Sequence, residues 1–182
     1  MLFLFLVVLL YQAGDCYNFL VVSPKHGYSH INFMGKIADA LVDAGHDVVT
    51  FQPLINDKLA SNGTLKSRLI QTKPIKETLP EMDLLNNPDI QRPMWRSSAT
   101  SPMGILRFLP LMDSITAKVV ANVLDERELM EQLKAEKFDL VITELYDFIG
   151  ITVAEALGIK NIVGAHSNGC LLEGTAMAIG LP

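Results

Sequence analysis

The chain has 182 residues, 49% of them apolar, and a formal net charge of -5. That length holds one domain with a real core and is too short for two large ones. The aliphatic content excludes disorder, and the lack of a basic excess removes the electrostatic footprint of a nucleic-acid binder, so no nucleic-acid partner is expected.

Met1–Tyr11 is almost purely aliphatic and aromatic. The run falls short of the roughly 20 residues that span a bilayer and reads as the apolar core of a signal peptide. Gly14 and Cys16 are the small residues before a cut at Tyr17, giving a leader over residues 1–16 and a mature domain over 17–182. The mature chain then keeps one cysteine, Cys170, expected as a buried thiol or, less often, an intermolecular partner. Asn62-Gly63-Thr64 is an N-glycosylation sequon in a polar stretch, expected in a surface loop.

Tyr17–Val22 reads as a buried strand, Ser23–Tyr28 as a loop, and Ser29 as the N-cap of a helix over His30–Ala44. Ile31, Met34, Ile37, Ala38 and Leu41 share one face of that helix, and Gly45 stops it. Asp47–Phe51 is the next strand, which makes a βαβ unit with parallel pairing and a right-handed crossover. Ser67–Gln71 reads as a third strand. Prolines 74, 80, 88, 93 and 102 then punctuate a region of loops and short helices, with a turn at Asn86–Asp89. Met103–Val123 is a helix interrupted or kinked near Pro110. Asp125, with Glu128 three residues on, has the pattern of a capping box opening another helix to about Glu136. Phe138–Thr143 is a continuous apolar run suited to a central parallel strand. Phe148–Leu157 is helical, Gly158 stops it, and Asn161–Ala165 reads as a further buried strand. The alternation predicts an α/β fold with a Rossmann-like, doubly wound parallel sheet.

In such sheets ligands bind beyond the carboxyl ends of the strands. That rule selects Ser23–His30, Glu144–Asp147 and His166–Gly169. The first loop lacks both the dinucleotide glycine spacing and the Gly-Lys-Ser/Thr end of a P-loop. It offers His26 and His30 instead, and an imidazole is the commonest general base near neutral pH. His30 falls in the first turn of its helix, where the dipole disfavours imidazolium. Glu144 or Asp147 could stand behind it to stabilise the imidazolium as it forms. The third segment, Ala165-His166-Ser167-Asn168-Gly169, is one substitution from a nucleophile elbow. No histidine follows Ser167 in this sequence, so unless a downstream portion supplies one the segment reads as a polar strand-end turn.

Two blocks, YNFLVVSPKHGYSHINFMGKIADALVDAGHDVVTF and FDLVITELYDFIGITVAEALGIKNIV, resemble the N-terminal half of the UDP-glucuronosyltransferases. The resemblance implies the acceptor-binding, N-terminal domain of a GT-B glycosyltransferase. His30 would then deprotonate the acceptor hydroxyl, oriented by the carboxylate at Glu144, where the family carries aspartate, or by Asp147. His26, Tyr28, His166 and Ser167 would belong to the acceptor-site loops. The implied reaction displaces UDP directly at the anomeric carbon and inverts it. It needs no metal and no cofactor beyond the UDP-sugar co-substrate, in this family UDP-glucuronate, bound mainly by a second domain. A small lipophilic hydroxyl compound is the implied acceptor. The endoplasmic reticulum lumen is the implied compartment, with membrane attachment through a C-terminal part and dimers with related transferases. By itself the chain is expected not to turn over, and a non-catalytic acceptor-binding or interaction module is the alternative.

Overall fold

The computed structural model describes residues 16–96 and 102–167. The expected leader core and Cys170 lie outside the described residues, and Cys16, the first of them, is an exposed free thiol. Five strands, β1 (Asn18–Val22), β2 (Asp47–Gln52), β3 (Arg68–Gln71), β4 (Leu140–Glu144) and β5 (Ile162–Ala165), form one sheet in the order β3-β2-β1-β4-β5. All four pairings are parallel, with Leu20 opposite Val49 on one side and Val141 on the other. The six α-helices among the described residues are α1 (Tyr28–Asp43), α2 (Leu79–Asn86), α3 (Pro88–Arg96), α4 (Pro102–Asp125), α5 (Arg127–Ala135) and α6 (Ile149–Leu157). The Rossmann-like α/β architecture is the one read from the alternating pattern.

Alternation along the strands distributes the core. Val21, Val48 and Ile142 face α1 and meet Met34 and Ala38. Leu20, Val22, Val49, Phe51 and Val141 face the opposite layer and meet Ile115, Val119 and Val123 of α4, Leu133 of α5, and Val153 and Leu157 of α6. Each such side chain, fully buried, contributes about 1.5–3 kcal/mol. Strand order reverses between β1 and β4: the chain winds outward through β2 and β3, then returns to β1's other side. This switch point opens a crevice at the carboxyl ends of β1 and β4.

Local details depart from the sequence reading in several places. Helix α1 starts at Tyr28, with extended Gly27 in the cap position and no side-chain cap from Ser29. Its expected stop at Gly45 is present: φ is +92°, and the Gly45 and His46 N–H groups bond the Val42 and Leu41 carbonyls. Gly158 ends α6 in the same way, with φ +75°. Helix α4 runs through Pro110. Leu106 and Pro110 are both exposed, so solvent can take up the carbonyl that Pro110 leaves without an N–H. Asp125 closes α4 instead of opening α5, and no side chain caps the α5 start at Glu126, so the capping box does not form. Strand β4 is shifted to Leu140–Glu144, because Lys137 takes a left-handed turn (φ +56°) just before it. Among the described residues strand β5 lies at the sheet edge, with Ile162 and Val163 36% and 47% exposed, where a buried strand was expected.

Candidate active site

The loop after β1 is fixed by its backbone. Ser23 N–H bonds the Phe51 carbonyl, Lys25 N–H bonds Pro53, and Asn56 N–H bonds the Lys25 carbonyl, at 2.8–2.9 Å. This stitching carries the chain over the end of β2 and into α1 at Gly27. His30, in the first turn of α1, is thereby aimed across the switch point at β4. Its Nδ1 lies 2.6 Å from Glu144 Oε1, and the two side chains are 15% and 3% exposed. Ser167, two residues beyond β5, donates its hydroxyl to the same Oε1 and stands 3.2 Å from His30 Nδ1. All three strand-end segments selected from sequence thus meet at one carboxylate.

Helix α6 is set tightly against β4 to make this possible. A Cβ on Gly150 would lie 1.7 Å from Thr143 Oγ1, so only glycine lets the helix approach the strand end so closely. Asp147, the alternative partner for His30, does not take that position. Its Oδ1 accepts the Ile149 N–H at 2.9 Å and shapes the turn into α6. Burial, which outweighs the Ile149 hydrogen bond, pushes its carboxyl up to about 7, and the Glu144 charge adds to the rise. Glu144 goes the other way. Burial opposes its charge, but hydrogen bonds from His30 and Ser167, together with both nearby imidazoles, hold it below the usual carboxylate range.

His26 packs in the same cluster, its ring centroid 4.6 Å from that of His30 and 5.5 Å from Tyr146, stacked nearly parallel to the phenol ring. Burial first, and His30 second, lower its pKa to about 4, so it stays neutral at physiological pH. Tyr146 also stands 4.6 Å from His30, and burial raises its phenol pKa. The sequence reading passed over Tyr146. Its place between Glu144 and Asp147, within a strand-end segment already selected, was the signal. His166 precedes Ser167 beyond β5, and its Nε2 is buried. Tyr28 is 61% exposed at the α1 start, outside the cluster. No metal was expected from the sequence, yet the fold brings His26, His30 and Glu144 together, with one ligand atom from each within 4.8 Å of the others.

The sequon is a tied turn. Asn62 Oδ1 accepts the ammonium of buried Lys25 at 2.7 Å, and the Asn62 carbonyl accepts Gln52 Nε2 at 2.7 Å. Thr64 Oγ1 donates to Asp39, whose carboxylate also receives the Leu65 and Lys66 N–H groups.

The family model described as "UDP-glucoronosyl and UDP-glucosyl transferase" matches residues 18–179. UDP-glucuronosyltransferase 2B13 of Oryctolagus cuniculus is 27% identical over 180 residues, covering 89% of this chain and 33% of the relative. The Caenorhabditis elegans protein ugt-56, which carries a provisional UDP-glucuronosyltransferase name, is 26% identical over 160 residues, covering 86% of this chain and 29% of its own length. The chain therefore spans about a third or less of these relatives. Among solved structures, the glycosyltransferase SsfS6 of Streptomyces sp. SF2575 superposes with a TM-score of 0.54 at 21% identity, covering 82% of this chain and 39% of that one. The calicheamicin glycosyltransferase CalG4 gives 0.51 at 14% identity, covering 93% and 38%. These neighbours share the Rossmann-like half of the GT-B fold.

Proposed function

This chain belongs to the family of UDP-glucuronosyl and UDP-glucosyl transferases, and on that premise we propose that it supplies the acceptor-binding half and the general base of a glucuronosyl transfer. The carrying observation is the 2.6 Å contact between His30 Nδ1 and Glu144 Oε1 at the switch point. A proton on Nδ1, donated to the carboxylate, leaves the Nε2 lone pair to accept a proton. In the proposed step Nε2 takes the proton of an acceptor hydroxyl as its oxygen attacks the anomeric carbon. The bond to UDP breaks, the glycosidic bond forms with inversion, and Glu144 balances the imidazolium. Ser167 helps hold the carboxylate in place, and Asp147 stays out of the relay.

UDP-glucuronate is the proposed donor, supported by the names of the relatives. It would be bound mainly by a second domain, in keeping with the relatives' greater length. A small lipophilic hydroxyl compound is the proposed acceptor. The secretory lumen is the proposed compartment, with membrane attachment and any pairing with related transferases supplied outside the described residues; among the described residues no helix is long and apolar enough to cross a membrane. The test is sugar transfer from UDP-glucuronate and UDP-glucose to a panel of phenols, using the longest natural polypeptide that carries this sequence. His30→Ala is expected to abolish transfer while the fold persists by circular dichroism. Undiminished turnover in that variant overturns the base assignment, and preference for UDP-glucose overturns the donor.

A further inference from the structure

We propose that His26, His30 and Glu144 form a three-ligand site for a divalent transition-metal cation of the zinc class, and that its occupancy excludes His30 from acting as a base. The donor set is two imidazoles and one carboxylate, a combination that suits zinc. Hard cations such as magnesium and calcium favour oxygen ligands in larger number. The three ligand atoms lie within 4.8 Å of one another. Zinc bonds of about 2.0–2.1 Å place tetrahedral ligands roughly 3.3 Å apart, so closure asks for a contraction of roughly 1–1.5 Å. Side-chain rotation supplies movements of that size.

His26 carries the argument. Its Nε2 is buried and has no hydrogen-bond partner among the described residues. A buried imidazole nitrogen without a partner is costly unless something fills its place. The ring also hydrogen-bonds the Pro24 carbonyl, which leaves that role to Nδ1. A backbone carbonyl on one ring nitrogen fixes the tautomer and exposes the lone pair of the other, the usual arrangement of a metal-ligating histidine. Tyr146 stacked on His26 holds the ring's orientation. Nothing in the proposed transfer uses His26 Nε2.

Exclusion follows whichever nitrogen of His30 binds. A cation on Nε2 occupies the lone pair that would accept the acceptor's proton. A cation on Nδ1 displaces the Glu144 contact and moves the ring proton to Nε2. Either way His30 cannot accept. Metal binding is read without turnover, so it stands apart from the transfer reading; only the exclusion rests on it.

The experiment is titration of the metal-stripped full chain with cobalt(II) chloride, followed by zinc chloride. One equivalent should develop the intense visible band of four-coordinate cobalt, and zinc should erase it. A weak octahedral spectrum, or no saturable binding, overturns the proposal. The band should vanish in His26→Ala and in Glu144→Gln, each checked for fold by circular dichroism; its persistence in a folded His26→Ala overturns it. In wild-type protein, zinc should shift the ring-nitrogen resonances of His26 and His30, and shifts confined to His46 and His166 overturn the assignment without any variant. In the active transferase, zinc should stop turnover and a chelator should restore it. Continued transfer by the metal-loaded enzyme overturns the exclusion.

Discussion

At Glu144 burial and hydrogen bonding pull in opposite directions. The side chain is 3% exposed, yet two donors converge on Oε1 and keep it charged. Glu144→Gln preserves shape and removes the charge that would meet an imidazolium. The expected outcome is a fall in kcat of roughly 10²- to 10⁴-fold with little change in KM, read from initial rates. Asp147 presents the reverse case. Its carboxyl titrates near 3.8 in the unfolded chain and at about 7 in the folded one, so between those values the folded state binds more protons. Its contribution therefore falls as pH rises from about 4 to about 7, by up to about 1.4 kcal/mol per pH unit. Asp147→Asn keeps an acceptor for the Ile149 N–H and removes that slope. Urea unfolding across this range should show the variant gaining on wild type as pH increases. From spacing alone either carboxylate could stand behind His30, and the family resemblance favoured Glu144 with Asp147 as the alternative. What separates them is three-dimensional: Glu144 is the last strand residue and points across the switch point, while Asp147 turns back onto its own helix.

Among the elements, α1 shows most clearly what spacing can and cannot reveal. Its buried face was legible because Ile31, Met34 and Ala38 recur at helical intervals, and its stop was legible because Gly45 must adopt positive φ. Its start was not. Ser29 has a capping side chain, but Gly27 takes the extended cap conformation two residues earlier and draws Ser29 into the helix. The Asp125–Glu128 pattern failed for a related reason: α4 was still running at Asp125, and a residue inside a helix cannot cap the next one. Gly35 had no sequence signal at all. A Cβ there would lie 2.2 Å from the Gly63 carbonyl carbon, so the helix and the sequon turn touch backbone to backbone. Gly35→Ala should cost roughly 1–3 kcal/mol, measured by thermal or urea denaturation, because no side chain can move aside. A neutral result would show that the turn detaches easily.

For the whole molecule, the parallel sheet and the place of its crevice followed from strands alternating with helices and from the handedness of the first crossover. The exposure of β5 did not follow. An apolar run such as NIVGA reads as buried whether it lies at the centre of a sheet or at its edge, and only pairing distinguishes them. Among the described residues, strands β1, β2 and β4 are bonded on both sides, whereas β3 and β5 are bonded on one. Hydrogen exchange should therefore be slowest in Phe19–Val22, Val48–Phe51 and Val141–Thr143, and faster by an order of magnitude or more in Ile162–Ala165. Equal protection of β5 would mean that its free edge is covered in solution.

The clasp of Asn62 by Lys25 sets a clock on any oligosaccharide at this position. The amide that a glycan would modify becomes part of the folded turn once α1, Gly63 and the loop after β1 have closed on one another. Sugar attachment and chain closure then compete for the same side chain, and the winner depends on which is faster as the chain emerges. When the protein is expressed through the secretory pathway, a variant that closes slowly, such as Gly35→Ala, should carry more sugar per molecule than the wild type, seen as a larger mobility change on endoglycosidase digestion.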